Sequence, residues 1–302
     1  DFCLSRGLGD VYKRQIKYCV LDKLLRADLS RAEMDFILHI SHYQDDYGCV
    51  SGIYYRDICN ALQISYQTFY DVLHSLQVKE IIAVTKAYYG DWDVTILDNS
   101  FQDGITGYVS TGDDLFLDPE FQKCGPQEKL LALEFLKIAK NPSNGGKYKI
   151  GKEKLYEKYC KLFSVTKRVF LRYLHRLRKF FSMIVTEGIY YIRPGKNYRE
   201  KNKGRTDAEL LREHVKCFVL RRNRATYTEE EGKDAARLLT QYAGTVPDGR
   251  LLIRLFSEAV LESIRIRNAG IRNRYKWNRR LNPKFVHKIL QEKILNQPQL
   301  VK

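Results

Sequence analysis

The sequence predicts a mainly α chain with small β-hairpin wings: two copies of one three-helix-and-hairpin unit in tandem, then a helical C-terminal domain. Three observations carry this. Residues 55–85 and 156–186 align without a gap at an offset of 101 residues, with Tyr55/Tyr156, Cys59/Cys160, Phe69/Phe170, Leu73/Leu174, His74/His175, Leu76/Leu177, Val84/Val185 and Thr85/Thr186 in register. Apolar residues recur at helical spacing ahead of each aligned stretch, and an alternating stretch ends each copy. Beyond residue 207 the periodicity is helical.

The first fifteen residues stand outside this plan. Ser5–Gln15, SRGLGDVYKRQ, matches residue for residue one reading frame of the adaptor and transposase mosaic-end oligonucleotides used in sequencing libraries. Residues 1–15 are therefore expected to be translated adaptor. The first methionine is Met34, so the true start is expected to be missing.

In each copy a helix comes first (30–43, then 126–140), with Met34, Ile37, Leu38 and Leu130, Leu133, Phe135, Leu136 on its apolar face. A short helix follows (54–63, then 152–162). A turn at Ile64–Ser65 or Val165–Thr166 leads into a third helix, the Ser or Thr serving as N-cap. An alternating hairpin closes each copy: "IIAVTKAYYGDWDVTIL", with Gly90-Asp91 in the connection, and "MIVTEGIYYIR", turning near Gly188. The expected boundaries are 16–117 for the first unit, 118–195 for the second, 196–206 for a basic linker and 207–302 for the tail. In the tail, helices are expected over 207–222, 228–243, 249–267 and 283–296. Thr228 with Glu231 makes a capping box there, and Pro283 after Asn282 suits a first helical position.

Charge is divided unevenly. From Ile16 to Leu117 there are 7 Lys+Arg against 15 Asp+Glu; from Asp118 to Lys302 there are 42 against 19. An acidic first third joined to a strongly basic remainder is the distribution expected when part of a chain faces a polyanion. No apolar run reaches the roughly 18–20 residues that span a bilayer. Seven cysteines without a C-x-x-C pair suit a reducing, cytoplasmic setting.

Three helices ending in a two-stranded wing resemble the winged helix-turn-helix. The resemblance covers 30–97 and 126–194 and implies two tandem winged helix-turn-helix domains plus a helical C-terminal domain. In that fold the helix after the turn enters the major groove of DNA. In the second copy, "TKRVFLRYLHRLRKFF", Val169, Phe170, Tyr173, Leu174, Leu177 and Phe181 face inward. Arg168, Arg172, Arg176 and Lys179 form an outward stripe of one sign, flanked by Lys167 and Arg178. Like charges at i, i+4 weaken a helix, so a stripe without acidic partners points to an anion, double-stranded DNA, as its occupant. Arg193 on the wing joins the expected contacts. The equivalent helix of the first copy, "SYQTFYDVLHSLQ", presents Tyr66, Gln67, Tyr70, Asp71 and His74. Tyr66 and Tyr70 are read as a partner surface, with homodimerisation expected and DNA contact by Gln67 or His74 the minority reading. In the tail, "RRNR" (221–224) and "RIRNAGIRNRYKWNRR" (265–280) are basic. The second interleaves Tyr275 and Trp277 with arginines, so Arg274, Arg279 and Arg280 are candidates for DNA contact, including contact with single strands.

Tandem winged helices, one acidic and self-associating and one basic, are similar to the plasmid replication initiators of bacteria. That resemblance implies origin binding, recruitment of host replication proteins, no cofactor and no catalysis by this chain. The segment "RLNPKFVHKIL" resembles the end of the helical domain of DnaD-type primosomal proteins, through Phe285 and Ile289. A transcriptional regulator with a helical oligomerisation or effector tail is the alternative. Enzyme readings rank lower. His175-Arg176-Leu177-Arg178 matches a recombinase box, with Tyr190, Tyr191 and Tyr198 downstream, but falls inside an amphipathic helix. "HISH" (His39, His42) lacks completing metal ligands. "GKYKIGKE" (146–153) has Glu153 where a phosphate-binding loop needs Ser or Thr, and reads as a linker.

Overall fold

Two residues 101 positions apart, Gln63 and Ser164, stand in the left-handed region with φ of 54° and 51°, each just past a short helix. The following amide donates back across that turn in both copies, Ile64 N to Cys59 O at 3.1 Å and Val165 N to Cys160 O at 3.0 Å. The internal repeat is thus repeated in backbone conformation.

The computed structural model describes residues 15–45, 47–86, 91–101, 107–111, 114–140, 145–195, 207–246 and 248–297. The adaptor-like residues 1–14, the expected linker 196–206 and the tip of the first hairpin (87–90) lie outside the described residues. Among the described residues the chain mixes helices with three small antiparallel sheets. It opens with β1 (Gln15–Lys17), α1 (Tyr18–Arg26) and α2 (Arg31–Ile40). Ser30 caps α2 through a capping box: its hydroxyl accepts from Glu33 N at 3.3 Å while Glu33 accepts from Ser30 N at 2.6 Å. Next come β2 (Cys49–Tyr54), α3 (Tyr55–Leu62), α4 (Tyr66–Val78), β3 (Ile82–Lys86), β4 (Asp91–Ile96) and β5 (Tyr108–Ser110). After α5 (Pro119–Gln122) the plan recurs as α6 (Pro126–Lys140), β6 (Tyr148–Gly151), α7 (Lys152–Leu162), α8 (Lys167–Leu177), β7 (Phe181–Thr186) and β8 (Ile189–Pro194). Ser65 and Thr166 cap α4 and α8 as expected, accepting from Thr68 N and Val169 N.

Each hairpin carries a third strand that the sequence reading missed: the sheet orders are β2-β4-β3 and β6-β8-β7. The segment read as a linker, "GKYKIGKE", therefore contains β6, whose Tyr148 and Ile150 face Ile192 and Tyr190 across the ladder. Glu187 and Gly188 turn the second hairpin with φ of 51° and 71°, the two positive values that a tight hairpin turn of matching twist demands. Helix α1 and the β1–β5 pair were also unforeseen. Gln15, at the edge of the adaptor-like stretch, enters that pair through its backbone; its carbonyl accepts from Gln44 and Asn99.

The two units share one core. Leu131, Ala132, Leu133 and Phe135 of α6 are fully buried, and the apolar cluster around them runs unbroken from Ile16 to Ile192. Helix α6 packs on α1 and α2 of the first unit and on α8, β6 and β8 of the second. Lys129, 2% exposed, reaches from α6 to Asp35 on α2 and donates to Gln122 O at 2.8 Å. Lys137 donates to Asp22 of α1 at 2.6 Å.

The tail has its own core of α9 (Asp207–Arg222), α10 (Glu229–Ala243), α11 (Gly249–Arg267) and α12 (Pro283–Leu295). Its capping box at Thr228 and its Asn282-Pro283 start form as expected. Helix α9 lies against the first unit at β2. Gly52 (φ +71°) permits that approach, since a Cβ there would stand 2.6 Å from the Phe218 ring. His214 stacks on Tyr43 with ring centroids 4.9 Å apart and bonds Ser51 O at 3.1 Å. His39 also packs against Tyr43, with ring centroids 5.3 Å apart. Burial, and secondly the neighbouring His214, hold the His39 imidazole down to about 4; burial also lowers His214, against the Ser51 carbonyl. Both folded values lie below the ordinary value near 6.5, so the fold favours neutral rings. Their contribution is complete above pH about 6.5 and is lost as pH falls toward about 4. The melting temperature should drop across that window, and His39→Phe/His214→Phe should flatten the drop in a calorimetric pH series.

Candidate nucleic-acid interface

Helix α8 buries Phe170, Leu174 and Leu177 and stacks Phe170 on Tyr159 at 5.7 Å. That anchoring leaves Lys167, Arg168, Leu171, Arg172, His175 and Arg176 exposed, followed by Arg178 and Lys179. The basic stripe is present, yet it is not uniformly free of acidic partners as the sequence reading held. Arg176 Nη1 lies 3.1 Å from the buried Glu128 carboxylate at the start of α6. Lys179 lies 3.4 Å from Glu120, and Lys167 lies 3.7 Å from Glu153 and over the Tyr156 ring. The reason is long-range: the aligned start of α6 brings Glu128 beneath the last turn of α8. Arg168 and Arg172, one turn apart on the exposed face, have no ion pair or hydrogen bond among the described residues. Two cations one turn apart with no counter-charge repel each other, and they are the part of the stripe poised for an anion.

Arg193 lies on β8, opposite Ser182 of β7 and near the foot of the hairpin rather than its turn. It is exposed, as is Lys149 on β6. Lys147 and Lys149 stand 5.6 and 5.9 Å from the Tyr191 ring. Sequence reasoning missed both lysines. Their alternation with Tyr148 and Ile150 was the available signal, hidden by reading that segment as a linker.

Tyr66 and Tyr70 belong to a run of rings, Tyr54–Tyr55–Tyr66–Tyr70–Trp92, with successive centroids 4.9, 5.0, 4.7 and 6.0 Å apart. Tyr66 is 55% exposed. Burial raises the Tyr70 phenol, and the neighbouring Tyr66 hydroxyl raises it further. Gln67, the minority candidate for base contact, donates to Asp71 at 2.9 Å. The far end of the ring run is capped from the tail: the Arg221 guanidinium sits 4.5 Å over Tyr54.

Arg221 and Arg222, read from sequence as part of a basic cluster, turn toward carboxylates of the first unit. Arg221 pairs with the fully buried Asp91 at 3.0 Å and with Asp57 at 3.1 Å, and donates to Gly52 O at 2.9 Å. Arg222 pairs with Asp93 at 3.2 Å. In the second cluster, Arg279 donates to Asn223 O at 3.2 Å, Arg280 pairs with Glu231 at 2.9 Å, and Arg274 stands 5.7 Å from the Trp277 ring. Arg279 and Arg280 are thus tied to the tail's frame, whereas Arg274 is exposed with no acidic partner among the described residues.

The recombinase-like box lies within and just after α8 with Leu177 buried. The Tyr190 hydroxyl bonds Tyr156, also buried, at 3.2 Å, and Tyr198 lies outside the described residues. His42 bonds Thr111 O at 2.8 Å. Among the described residues no group of three or more His, Cys, Asp or Glu is placed to hold a metal ion, and no helix is long and apolar enough to cross a membrane. Comparison with protein-family models, with curated proteins and with solved structures gives no match to this chain.

Proposed function

We propose that this chain is a non-catalytic, cytoplasmic DNA-binding protein whose two repeated units are tandem winged helices, and that α8 of the second unit reads duplex DNA. One observation carries the reading: Arg168 and Arg172 lie side by side, exposed and without counter-charge, on a helix whose opposite face is locked into the core. A rigid helix presenting forked guanidinium groups suits guanine edges and phosphates. Lys149 and Arg193 on the adjoining sheet, and Lys147 just before β6, add backbone contacts. The aromatic run at Tyr66 and Tyr70 is the surface for a protein partner, a second copy of the chain. The biological setting that best fits an acidic and a basic unit in tandem is replication initiation of a plasmid or mobile element.

The test uses the full chain and a labelled duplex carrying its upstream region. Arg168→Glu/Arg172→Glu should weaken binding by at least about 100-fold while leaving the melting temperature unchanged, since neither side chain bonds within the described fold. The wild-type affinity should fall steeply with salt, about 10³-fold from 50 to 200 mM for roughly six phosphate contacts. Arg176 is left intact because a glutamate there would face the buried Glu128. Binding that survives the double reversal would remove α8 as the reader.

A further inference from the structure

The loop from Asn268 to Leu281, between α11 and α12, is tightly held yet leaves one aromatic ring in solvent. Asn268, 3% exposed, is its hub: its side-chain amide donates to Ile264 O at 2.7 Å and Asn278 O at 2.9 Å, and its carbonyl oxygen accepts from Asn278 N at 2.8 Å. Trp277 Nε1 donates across the loop to Ile271 O at 2.9 Å. Arg267 donates to Arg280 O at 2.8 Å, and the loop's exit is stitched to Thr226, which donates to Arg279 O at 3.0 Å and accepts from Leu281 N at 2.7 Å. Within this frame a short turn, Arg274–Lys276, is capped by Asn273, whose side chain accepts from Tyr275 N at 3.0 Å.

On that turn Tyr275 is 95% exposed. Arg272, Arg274 and Lys276 surround it in sequence, all exposed and without acidic partners among the described residues. Trp277, packed against the tail core, and the buried Leu281 account for the base of this frame. Ordering the turn at its tip costs backbone entropy, and that turn leaves its own ring, Tyr275, in solvent. An exposed ring offered between cations on a braced turn is the arrangement that stacks an unpaired nucleobase while the cations follow the phosphates. Paired bases present no free face to such a ring.

The geometry points to a second nucleic-acid site, in which Tyr275 stacks a base of a single-stranded nucleic acid and Arg272, Arg274 and Lys276 bind its backbone. This site is separate from α8 and stands or falls independently of the duplex reading.

The experiment measures anisotropy of labelled oligonucleotides with the full-length protein: a thymidine strand of roughly 20 nucleotides, its uridine RNA counterpart, and a mixed-sequence duplex. Cosedimentation with phosphatidylserine vesicles runs alongside. Tyr275→Ala should weaken single-strand binding by about 10- to 100-fold, Tyr275→Phe should retain it, and duplex affinity should stay within about twofold. The ring touches nothing structural, so the substitution leaves the fold undisturbed. Tighter binding of the DNA or of the RNA strand, with the same dependence on Tyr275, identifies which one the site takes. The proposal is overturned if Tyr275→Ala leaves single-strand binding intact, if duplex and strand weaken equally, or if only vesicles are bound. Loss of duplex binding in Arg168→Glu/Arg172→Glu with the strand still bound would separate the two sites; duplex binding that survives there counts against α8 alone.

Discussion

Phe135→Ala is expected to destabilise the protein by about 3–5 kcal/mol, and to be felt in the unit that does not contain it. Phe135 is fully buried, with its ring 5.9 Å from Tyr148, 6.0 Å from Tyr159 and 5.7 Å from Phe181. Those partners lie on β6, α7 and β7, so truncation leaves a void bounded by three elements that cannot all close on it. The same helix packs on α1 and α2. Trp92, on β4 of the first unit, reports on that unit once Trp277 is replaced by Phe. In urea, the Trp92 midpoint should fall with Phe135→Ala. An unmoved Trp92 transition would mean that the two units unfold separately and that the continuous core does not couple them.

Arg221→Ala is the second large effect, about 3–5 kcal/mol, the usual result of removing one partner of a buried ion pair. Asp91 is fully buried, and its carboxyl is pushed up by burial, opposed by Arg221 and then Arg222. Without Arg221 the carboxylate keeps Arg222, 3.9 Å away, as its one cation among the described residues. Burial already raises the folded value above that of the unfolded chain, and losing Arg221, which opposes that rise, raises it further. The deficit relative to the parent protein should therefore be largest above neutral pH and shrink as acid protonates Asp91. Asp91→Asn/Arg221→Ala should recover part of the loss, since it removes the stranded charge. Equal deficits at pH 5 and pH 8 would show that the Arg221 contribution is packing over Tyr54 rather than charge.

Local rules made most of the helices legible, whereas pairings between distant segments were hidden. The α4 and α8 caps, the Thr228 box and the Pro283 start are decided by residues three or four positions apart, and they fell where the pattern put them. Strands β2 and β6 went unread because each is a short run whose partner lies some forty residues on, and a strand that pairs so far away leaves little periodicity of its own. Of the candidate site, the basic face of α8 was legible from Arg168, Arg172, Arg176 and Lys179 at i, i+4, i+8 and i+11. That Arg176 belongs to Glu128, 48 residues earlier, was not. Nor was the use of Arg221 and Arg222. Some of the charge imbalance between the first third and the rest is neutralised inside the chain, where the packing of α6 on α1 and α2 and of α9 on β2 brings the opposite signs together.

The shared interior has a geometric result. Helix α4 packs on α2, α2 on α6 and α6 on α8, so the outward faces of the two repeated helices are joined through solid contacts rather than a tether. Modules on a flexible leash sample many separations and tolerate variable spacing between their targets. Here distance and angular phase are constants of the molecule, as with two teeth cut on one key. A partner held on one face and a ligand held on the other must therefore meet the molecule at that one spacing.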